Sequence, residues 1–455
     1  MTAGWEPVEV LACAVLAVGA LLAARASAWA RGRRDGRWWV ALAVLPALGP
    51  GLISVAWFLS LIVGVPSPAL SAAGLTVLVW GITVWHGRGT LEGTGSVERV
   101  GSWWCIGWGV LAATAVAFVL HWHQLRPEGS WDAMAIWNYH ARLLARGGML
   151  AGEVLSVETT GAPDYPLHLS AAVAALWNLA GEEGRATPVL VASMYLAGIV
   201  GMLHIAVETL TSSRRLAMGA TALLLSTPAV LEFTPMQLAD VVVAWCLLAA
   251  AAGLAMERFT PGGRRNLLLF GFSLGLLPWT KNEGVPLALL VYGAFLFSDL
   301  RRPGCRRRQL LLVVGAALPL LATVWFKLNW APTNWHLAHG GGGWWDRFTD
   351  GARWAAVMAE LWGEVNPLIA PRHWGGAWVV VIGAIGFAAV TRRRGHPVGR
   401  LLGVMLAGAL ALWPLALVLS PRPEWQIHVL DRLLFQTFPL ALLWAAVAVS
   451  REPNV

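Results

Sequence analysis

The chain has 455 residues, of which 57% are hydrophobic and 13% are charged. Many apolar runs of about 17 to 25 residues are each long enough to span a bilayer, so the composition excludes an ordinary soluble domain and predicts a polytopic membrane protein. The net charge of +8 does not indicate a nucleic-acid partner, because most arginines occupy short loops between apolar runs, where positive charge sets membrane orientation.

Thirteen apolar runs are candidate spans in an all-α bundle. They are residues 8–30, 38–63, 69–85, 101–120, 188–210, 216–231, 236–256, 266–280, 284–299, 309–327, 376–391, 399–419 and 431–449. The N-terminus has acidic residues and no basic region before its first run, so we interpret that run as a span rather than a cleaved signal peptide. The chain then divides into N-terminal spans (1–120), a first outer loop (121–187), hairpins (188–327), a second outer loop (328–375) and C-terminal spans (376–455).

The arginine-rich loops predict the orientation of the chain in the plasma membrane. With residues 31–37 inside, the N-terminus lies outside, the C-terminus is cytoplasmic, and the later basic loops also fall inside. This requires that the apolar segment 165–180 does not cross the membrane. Carboxylates then concentrate on the outer face, where we expect the chemistry, at Asp132, Asp164, Glu232, Asp240, Glu283, Asp346, Asp350 and Asp431.

The stretch 129–148 predicts an amphipathic helix in the membrane interface, capped by Ser130. Its apolar face would hold Met134, Trp137, Ala141 and Leu144, and its polar face Asp132, Tyr139, Arg142 and Arg146. Asp132 is a candidate general base or metal ligand. Alternatively, its charge only complements the helix dipole, and the same alternative applies to Asp164, which precedes a helix that starts at a proline.

Ionisable residues interrupt later apolar runs at three places. Asp240 lies about one turn into its span, where a charge is costly and tends to mark a functional site. Lys281 and Glu283 interrupt the next hairpin, and they are either part of a site or a local ion pair. Arg432 opens the last span, where a cation opposes the helix dipole unless an anion lies nearby. That anion is either its neighbour Asp431 or an anionic ligand.

The four cysteines, Cys13, Cys105, Cys246 and Cys305, show no spacing typical of a disulfide framework or a zinc site. Among the cations, the only two lysines, Lys281 and Lys327, both fall on the predicted outer side, away from the loops that orient the chain.

Five motifs, WDAMAIWNYHARLL, PDYPLHL, TPMQLAD, WTKNEG and HVLDRLLFQTFP, together resemble the GT-C superfamily of integral-membrane glycosyltransferases. The resemblance covers roughly residues 122–440 and is greatest to the bacterial branch similar to protein mannosyltransferases and lipid A aminoarabinose transferases. It implies transfer of a sugar from a polyprenyl-phosphate donor to a hydroxyl acceptor on a lipid, glycan or protein.

The resemblance also implies roles for single residues. Asp132 matches the essential aspartate of the first outer loop, while Lys281 and Arg432 match the positions that receive the lipid phosphate. Further candidates for substrate or metal binding are Asp164, Tyr165, His168, Asp240, Glu283 and His428. Many relatives carry paired acidic residues in the first loop, whereas Asp132 stands between Trp131 and Ala133. A Mg²⁺ or Mn²⁺ site built on adjacent carboxylates is therefore not supported, although Asp240 and Glu283 could still hold a divalent cation.

Two other functions fit a polytopic chain of this kind. A transporter or flippase would carry ionisable groups near the bilayer midplane of repeated halves, whereas this sequence has one-sided charge and no repeat. A glycan ligase using a polyprenyl-diphosphate donor would need the same combination of a base and cations.

Overall fold

The computed structural model describes residues 37–65, 67–69, 74, 101–157, 162–257, 266–334, 343–366, 371–390, 397–421 and 429–450. Regular structure in these ranges is helical, without strands. The first half contains α1 Arg37–Ile62, α2 Ser102–Leu125, a π-helical turn Ala133–Trp137, α3 Asn138–Gly147, a 3₁₀ turn Gly148–Leu150, α4 Ala151–Val157, α5 His168–Ala180, α6 Ala186–Thr211, α7 Arg214–Ser226 and α8 Pro228–Phe233. The second half contains α9 Ala239–Glu257, α10 Asn266–Thr280, α11 Gly284–Asp299, α12 Cys305–Asn329, α13 Trp344–Thr349, α14 Gly351–Val365, α15 Pro371–Trp374, α16 Ala377–Val390, α17 Pro397–Leu419 and α18 Leu430–Val449.

Six of these helices are long and apolar enough to cross a membrane: α2, α6, α9, α12, α18 and the part of α17 from Val398 to Leu419. They indicate an all-α, membrane-embedded protein, as the composition predicted. Shorter apolar helices lie at Pro46–Ile62, His168–Ala180, Leu267–Thr280, Gly284–Asp299 and Ala377–Ala388. The number of thirteen spans is not confirmed, and the predicted spans 8–30 and most of 69–85 lie outside the described residues.

Helix α9 is the central helix of the described bundle. Every residue from Ala239 to Met256 is buried, and α9 packs against α6, α10, α11, α17 and α18. Helix α2 is peripheral by contrast, because only Ala115 and Val119 are buried in it and it packs mainly on α7. A carboxylate in the first turn of α9, such as Asp240, is therefore inside the bundle rather than at its edge.

Helices α10 and α12 make a close parallel contact through glycines. A Cβ added to Gly271 would lie 2.2 Å from the carbonyl oxygen of Leu312, and one added to Gly275 would lie 2.7 Å from that of Ala316. Small residues four positions apart allow helix backbones to approach this closely in membrane proteins. The contact brings the C-terminal ends of both helices to the same end of the bundle. Lys281 directly follows the end of α10, and Lys327 lies in the last turn of α12.

Two predicted apolar runs differ in how they fold. Residues 168–180 form α5, a helix of 13 residues packed on α1 and α3. Its length of about 20 Å is less than the roughly 30 Å of a bilayer core, as are the lengths of α10, α11 and α16, so its place in the membrane interface stays a prediction. The run 216–231 is not one helix, because α7 ends at Ser226 and α8 begins at Pro228. Proline lacks a backbone N–H and suits the first position of a new helix.

Candidate active site

Five charged side chains from four separate parts of the chain form one connected set of ion pairs, which we call the charged network. Its members are Asp132, Asp240, Lys281, Glu283 and Arg432. All five were predicted as candidate site residues from the sequence. Three carboxylates and two cations leave one excess negative charge within the set.

Arg432, in the first turn of α18, links two carboxylates of the network. Its Nη1 donates to Oδ2 of Asp132 at 2.5 Å, while its Nε and Nη2 donate to Oδ2 of Asp240 at 3.1 and 2.8 Å. The neighbouring Asp431 does not pair with the guanidinium in these contacts. Its Oδ1 accepts instead from the backbone N–H of Arg432 at 2.7 Å. The anions that offset the unfavourable helix dipole are therefore residues distant in sequence.

Asp240 is fully buried and accepts hydrogen bonds from three side chains. Besides Arg432, Nζ of Lys281 donates to its Oδ1 at 3.1 Å and Nε2 of Gln436 donates to the same oxygen at 2.5 Å. A buried carboxylate is tolerated only when it is paired and hydrogen-bonded in this way. Both oxygens are engaged by protein donors, so the geometry assigns Asp240 the role of holding the two cations at a fixed separation.

Lys281 follows α10 and is 5% exposed. Its Nζ lies 2.6 Å from Oε1 of Glu283 as well as 3.1 Å from Asp240. Burial lowers the pKa of Lys281, but the two carboxylates outweigh that effect and raise the pKa above its ordinary value. The ammonium therefore stays charged at neutral pH. The local pair with Glu283 exists, but it is one of two pairs that Lys281 makes.

Asp132 is held near Asp240 by contacts between the segment around Asp132 and the turn before α9. Nδ2 of Asn138 donates to Oε1 of Gln237 at 2.7 Å, and the backbone N–H of Ser130 donates to the carbonyl of Met236 at 3.1 Å. Gly129 has a φ of +78°, and a Cβ there would lie 2.9 Å from that same carbonyl oxygen. Glycine is therefore required for the loop to approach the turn so closely.

The helix that carries Asp132 begins as predicted but changes register. Oγ of Ser130 accepts from the backbone N–H of Ala133 at 3.2 Å, which confirms the predicted cap. A π-helical turn then runs over Ala133–Trp137, and such turns are frequent at functional sites. Of the residues predicted to share its apolar face, Trp137, Ala141 and Leu144 are buried in the protein, whereas Met134 is 44% exposed.

Tyr165 and Asp164 lie beside the charged network. The ring of Tyr165 stacks on Trp137 at 5.5 Å between centroids, and Nζ of Lys281 is 6.0 Å from its centre. Burial raises the pKa of the Tyr165 hydroxyl, so it stays protonated. Asp164 belongs to a second group of polar side chains, which we call the amide cluster, formed by Asp164, Asn282, Lys327 and Asn334.

His168 and His428 were also predicted candidates. His168 is fully buried, and its Nδ1 and Nε2 each lie 2.7 Å from a hydroxyl, on Thr280 and Tyr195 respectively. This arrangement ties α5 to α10 and α6 within the core and leaves both ring nitrogens engaged. His428 lies outside the described residues.

A divalent cation has no evident ligand set in the part of the chain that the structure describes. No group of three or more His, Cys, Asp or Glu side chains is arranged to hold a metal there. Within the charged network, Arg432 stands between Asp132 and Asp240, and Lys281 stands between Asp240 and Glu283. The carboxylates of the network therefore balance protein cations in this arrangement.

Sequence reasoning missed four side chains that complete these groups: Gln436, Asn282, Lys327 and Asn334. Gln436 lies four residues after Arg432, on the same face of α18, and that spacing alone could have identified it. Asn282 stands inside the WTKNEG motif between two predicted site residues. Lys327 is the second of the only two lysines. Nothing in the local sequence distinguishes Asn334.

No protein-family model, curated protein or solved structure matches this chain.

Proposed function

We propose that the protein is a polyprenyl-phosphate-sugar-dependent glycosyltransferase. It transfers the sugar to a hydroxyl acceptor on a lipid, glycan or protein at the outer face of the plasma membrane. The main support is the convergence of Asp132, Lys281 and Arg432 around the buried carboxylate of Asp240. These three residues come from distant parts of the chain, and the resemblance to GT-C enzymes had assigned them the base and the phosphate-binding cations.

The two cations suit a phosphate leaving group. Negative charge grows on the phosphate of the lipid as its bond to the sugar breaks, and fixed cations stabilise that charge best when they need no rearrangement. Two nitrogens of the Arg432 guanidinium donate to one oxygen of Asp240, and the ammonium of Lys281 donates to the other oxygen of the same carboxylate. A guanidinium can also bind phosphate through a planar pair of N–H groups.

Asp132 is the proposed general base. Its side chain is 27% exposed, whereas that of Asp240 is fully buried. Asp132 can therefore contact an acceptor hydroxyl while it is paired with Arg432. The acceptor hydroxyl oxygen attacks the anomeric carbon, its proton passes to the carboxylate of Asp132, and the bond from that carbon to the phosphate oxygen breaks with both electrons leaving on the lipid phosphate. The anomeric configuration inverts in this single displacement.

The placement of the charges at helix ends supports an enzyme over a transporter. Asp240 lies in the first turn of α9, Arg432 in the first turn of α18, and Lys281 in the connection between α10 and α11. A transporter of ionised substrates would be expected to carry such groups near the bilayer midplane. In the proposed topology the chain has thirteen spans, and the end of the bundle that carries Asp240, Lys281 and Arg432 faces the outside of the cell.

The experiment is a transfer assay in proteoliposomes with polyprenyl monophosphate carrying an isotope-labelled sugar. The expected result is label in a new covalent bond to an acceptor hydroxyl. Movement of label across the bilayer without a new bond would indicate a transporter. Activity only with a polyprenyl-diphosphate donor would indicate a ligase. Either outcome would refute the proposed reaction.

A further inference from the structure

The amide cluster is a second polar site beside the charged network. Nδ2 of Asn282 and Nδ2 of Asn334 donate to the same Oδ2 of Asp164, at 2.7 and 2.5 Å. Nζ of Lys327 donates to Oδ1 of Asn282 at 2.7 Å and to the backbone carbonyl of Asp164. These four side chains come from the loop before α5, the α10–α11 connection, the end of α12 and the segment that follows it. Their meeting is thus produced by the fold, not by local sequence.

The chemistry of the amide cluster differs from that of the charged network. One carboxylate and one ammonium leave it without net charge, and two amides supply both donors and acceptors in planar groups. The charged network offers a phosphate a guanidinium and an ammonium, whereas the amide cluster offers one ammonium and no guanidinium. A sugar hydroxyl donates one hydrogen bond and accepts others, so a mixed set of carboxylate, amide and ammonium groups matches uncharged vicinal hydroxyls.

The two sites are adjacent along the chain and in space. Asn282 stands directly between Lys281 and Glu283, and Asp164 directly precedes Tyr165, whose ring faces the ammonium of Lys281 at 6.0 Å. The Asn282 amide contacts Asp164 and the Lys281 ammonium lies over the ring of the next residue, Tyr165, so the same two neighbouring segments carry both groups. The amide cluster is also more exposed than the charged network at its lysine, because the side chain of Lys327 is 33% exposed and that of Lys281 is 6% exposed.

We infer that the amide cluster binds the sugar of the donor and selects an uncharged sugar with adjacent hydroxyls. This inference rests on the proposed function, because it takes the charged network as the phosphate site. The donor then lies across both groups, with its phosphate on Arg432 and Lys281 and its hydroxyls on Asn282, Asn334 and Lys327. A uronic acid or an amino sugar would add a charge that the neutral cluster does not balance.

The test compares binding of sugar-free polyprenyl phosphate with binding of polyprenyl phosphate carrying a neutral hexose, an amino sugar or a uronic acid, using the full chain in nanodiscs. The wild-type chain should bind the neutral-hexose lipid most tightly. Asn334→Ala should weaken that binding about tenfold, a loss of about 1.4 kcal/mol, and leave the affinity for sugar-free lipid unchanged. Asn329→Ala is the matched control, because this amide lies on α12 and only donates to the carbonyl of Trp325 four residues earlier.

Three results would overturn the sugar site while leaving the phosphate site intact. Asn334→Ala could weaken the binding of both lipids equally, it could weaken the binding of neither, or the wild-type chain could prefer a lipid with a charged sugar. Absence of saturable binding of sugar-free polyprenyl phosphate by the wild-type chain would instead overturn the proposed function itself. If Asn334→Ala fails to fold, Lys327→Gln at the more exposed edge of the cluster is the second variant, with the same two lipids and the same criteria.

Discussion

Nη1 of Arg432 lies 2.5 Å from Oδ2 of Asp132, although 300 positions of sequence separate them. In the proposed reaction these are the cation that receives the donor phosphate and the base that receives the acceptor proton. An arriving phosphate competes with Asp132 for that nitrogen, while Asp240 keeps hold of Nε and Nη2. Donor binding would therefore release the base, and the acceptor would be activated only when a donor is in place.

Replacing Asp132 with Asn removes the proposed proton acceptor and keeps the size of the side chain. We expect turnover to fall about a hundredfold or more, because general-base catalysis contributes on that scale. Folding should be retained, since Arg432 keeps its contact with Asp240. Turnover and melting temperature of the purified variant provide the measurement. Glu153→Gln, an exposed carboxylate on α4, is the control, and equal turnover in the two variants would refute the assignment.

Replacing Arg432 with Gln should lower kcat about a hundredfold or more and donor affinity much less, because the cation acts on charge that grows in the transition state. The variant should also lose stability, since it removes one partner of a buried pair. Arg308→Gln provides a matched control, because Nη2 of Arg308 lies 2.6 Å from the buried carboxylate of Asp299. This pair joins the end of α11 to the start of α12, at the other end of α11 from Lys281. A similar loss of stability with normal kcat is expected there. The same fall in kcat in both variants would contradict the phosphate role.

Lys281→Met leaves two carboxylates without their shared cation and should lower the free energy of unfolding by about 3 to 5 kcal/mol. Adding Glu283→Gln should restore only part of that stability, because Asp240 still lacks one of its donors. Transfer should remain lost in the double variant. Chemical denaturation and single-turnover rates measure the two effects separately. Recovery of transfer together with stability would show that Lys281 serves only to pair with Glu283.

Gly271→Ala should disrupt the contact between α10 and α12. Its Cβ would meet the carbonyl oxygen of Leu312 at 2.2 Å, and backbone atoms cannot move aside as a flexible side chain can. We expect a loss of about 1 to 3 kcal/mol, typical of overpacking, seen as a lower melting temperature. Gly293→Ala on α11 meets nothing within 4 Å and is the control, so it should leave stability unchanged or raise it. Equal melting of both variants would argue against this packing.

Cys305, at the start of α12, should be cytoplasmic, because the five arginines of DLRRPGCRRR resist translocation. In cells carrying a variant with serine at the other three cysteines, a membrane-impermeant maleimide should label Cys305 only after the membrane is opened. Glu153→Cys in the same background should be labelled in intact cells. Labelling of Cys305 from outside would invert the proposed topology and place the charged network inside.

The sequence by itself determined the helical, apolar character of the protein and most of its helix positions. Long apolar runs leave helices as the main way to satisfy backbone groups in lipid, so α6, α9, α12, α17 and α18 could be predicted from hydropathy. Local signals also sufficed for the Ser130 cap, since a cap depends on a few neighbouring residues. The cost of a charge inside a span singled out Asp240, the opposed helix dipole singled out Arg432, and the interrupted hairpin singled out Lys281.

Only the tertiary structure decided which charges pair. The guanidinium of Arg432 contacts Asp240 and Asp132, respectively 192 and 300 positions away, whereas the side chain of its neighbour Asp431 accepts from the backbone N–H of Arg432. Those pairings depend on how α9, α18 and the segment around Asp132 pack, and no local pattern encodes that packing. The π-helical turn Ala133–Trp137 also departs from the regular 3.6-residue period, and the spacing of apolar residues did not predict it. Ion pairs between distant segments are set by helix packing, so the members of the charged network could be predicted, whereas the pairs that they form and the hydrogen-bond partners around them could not.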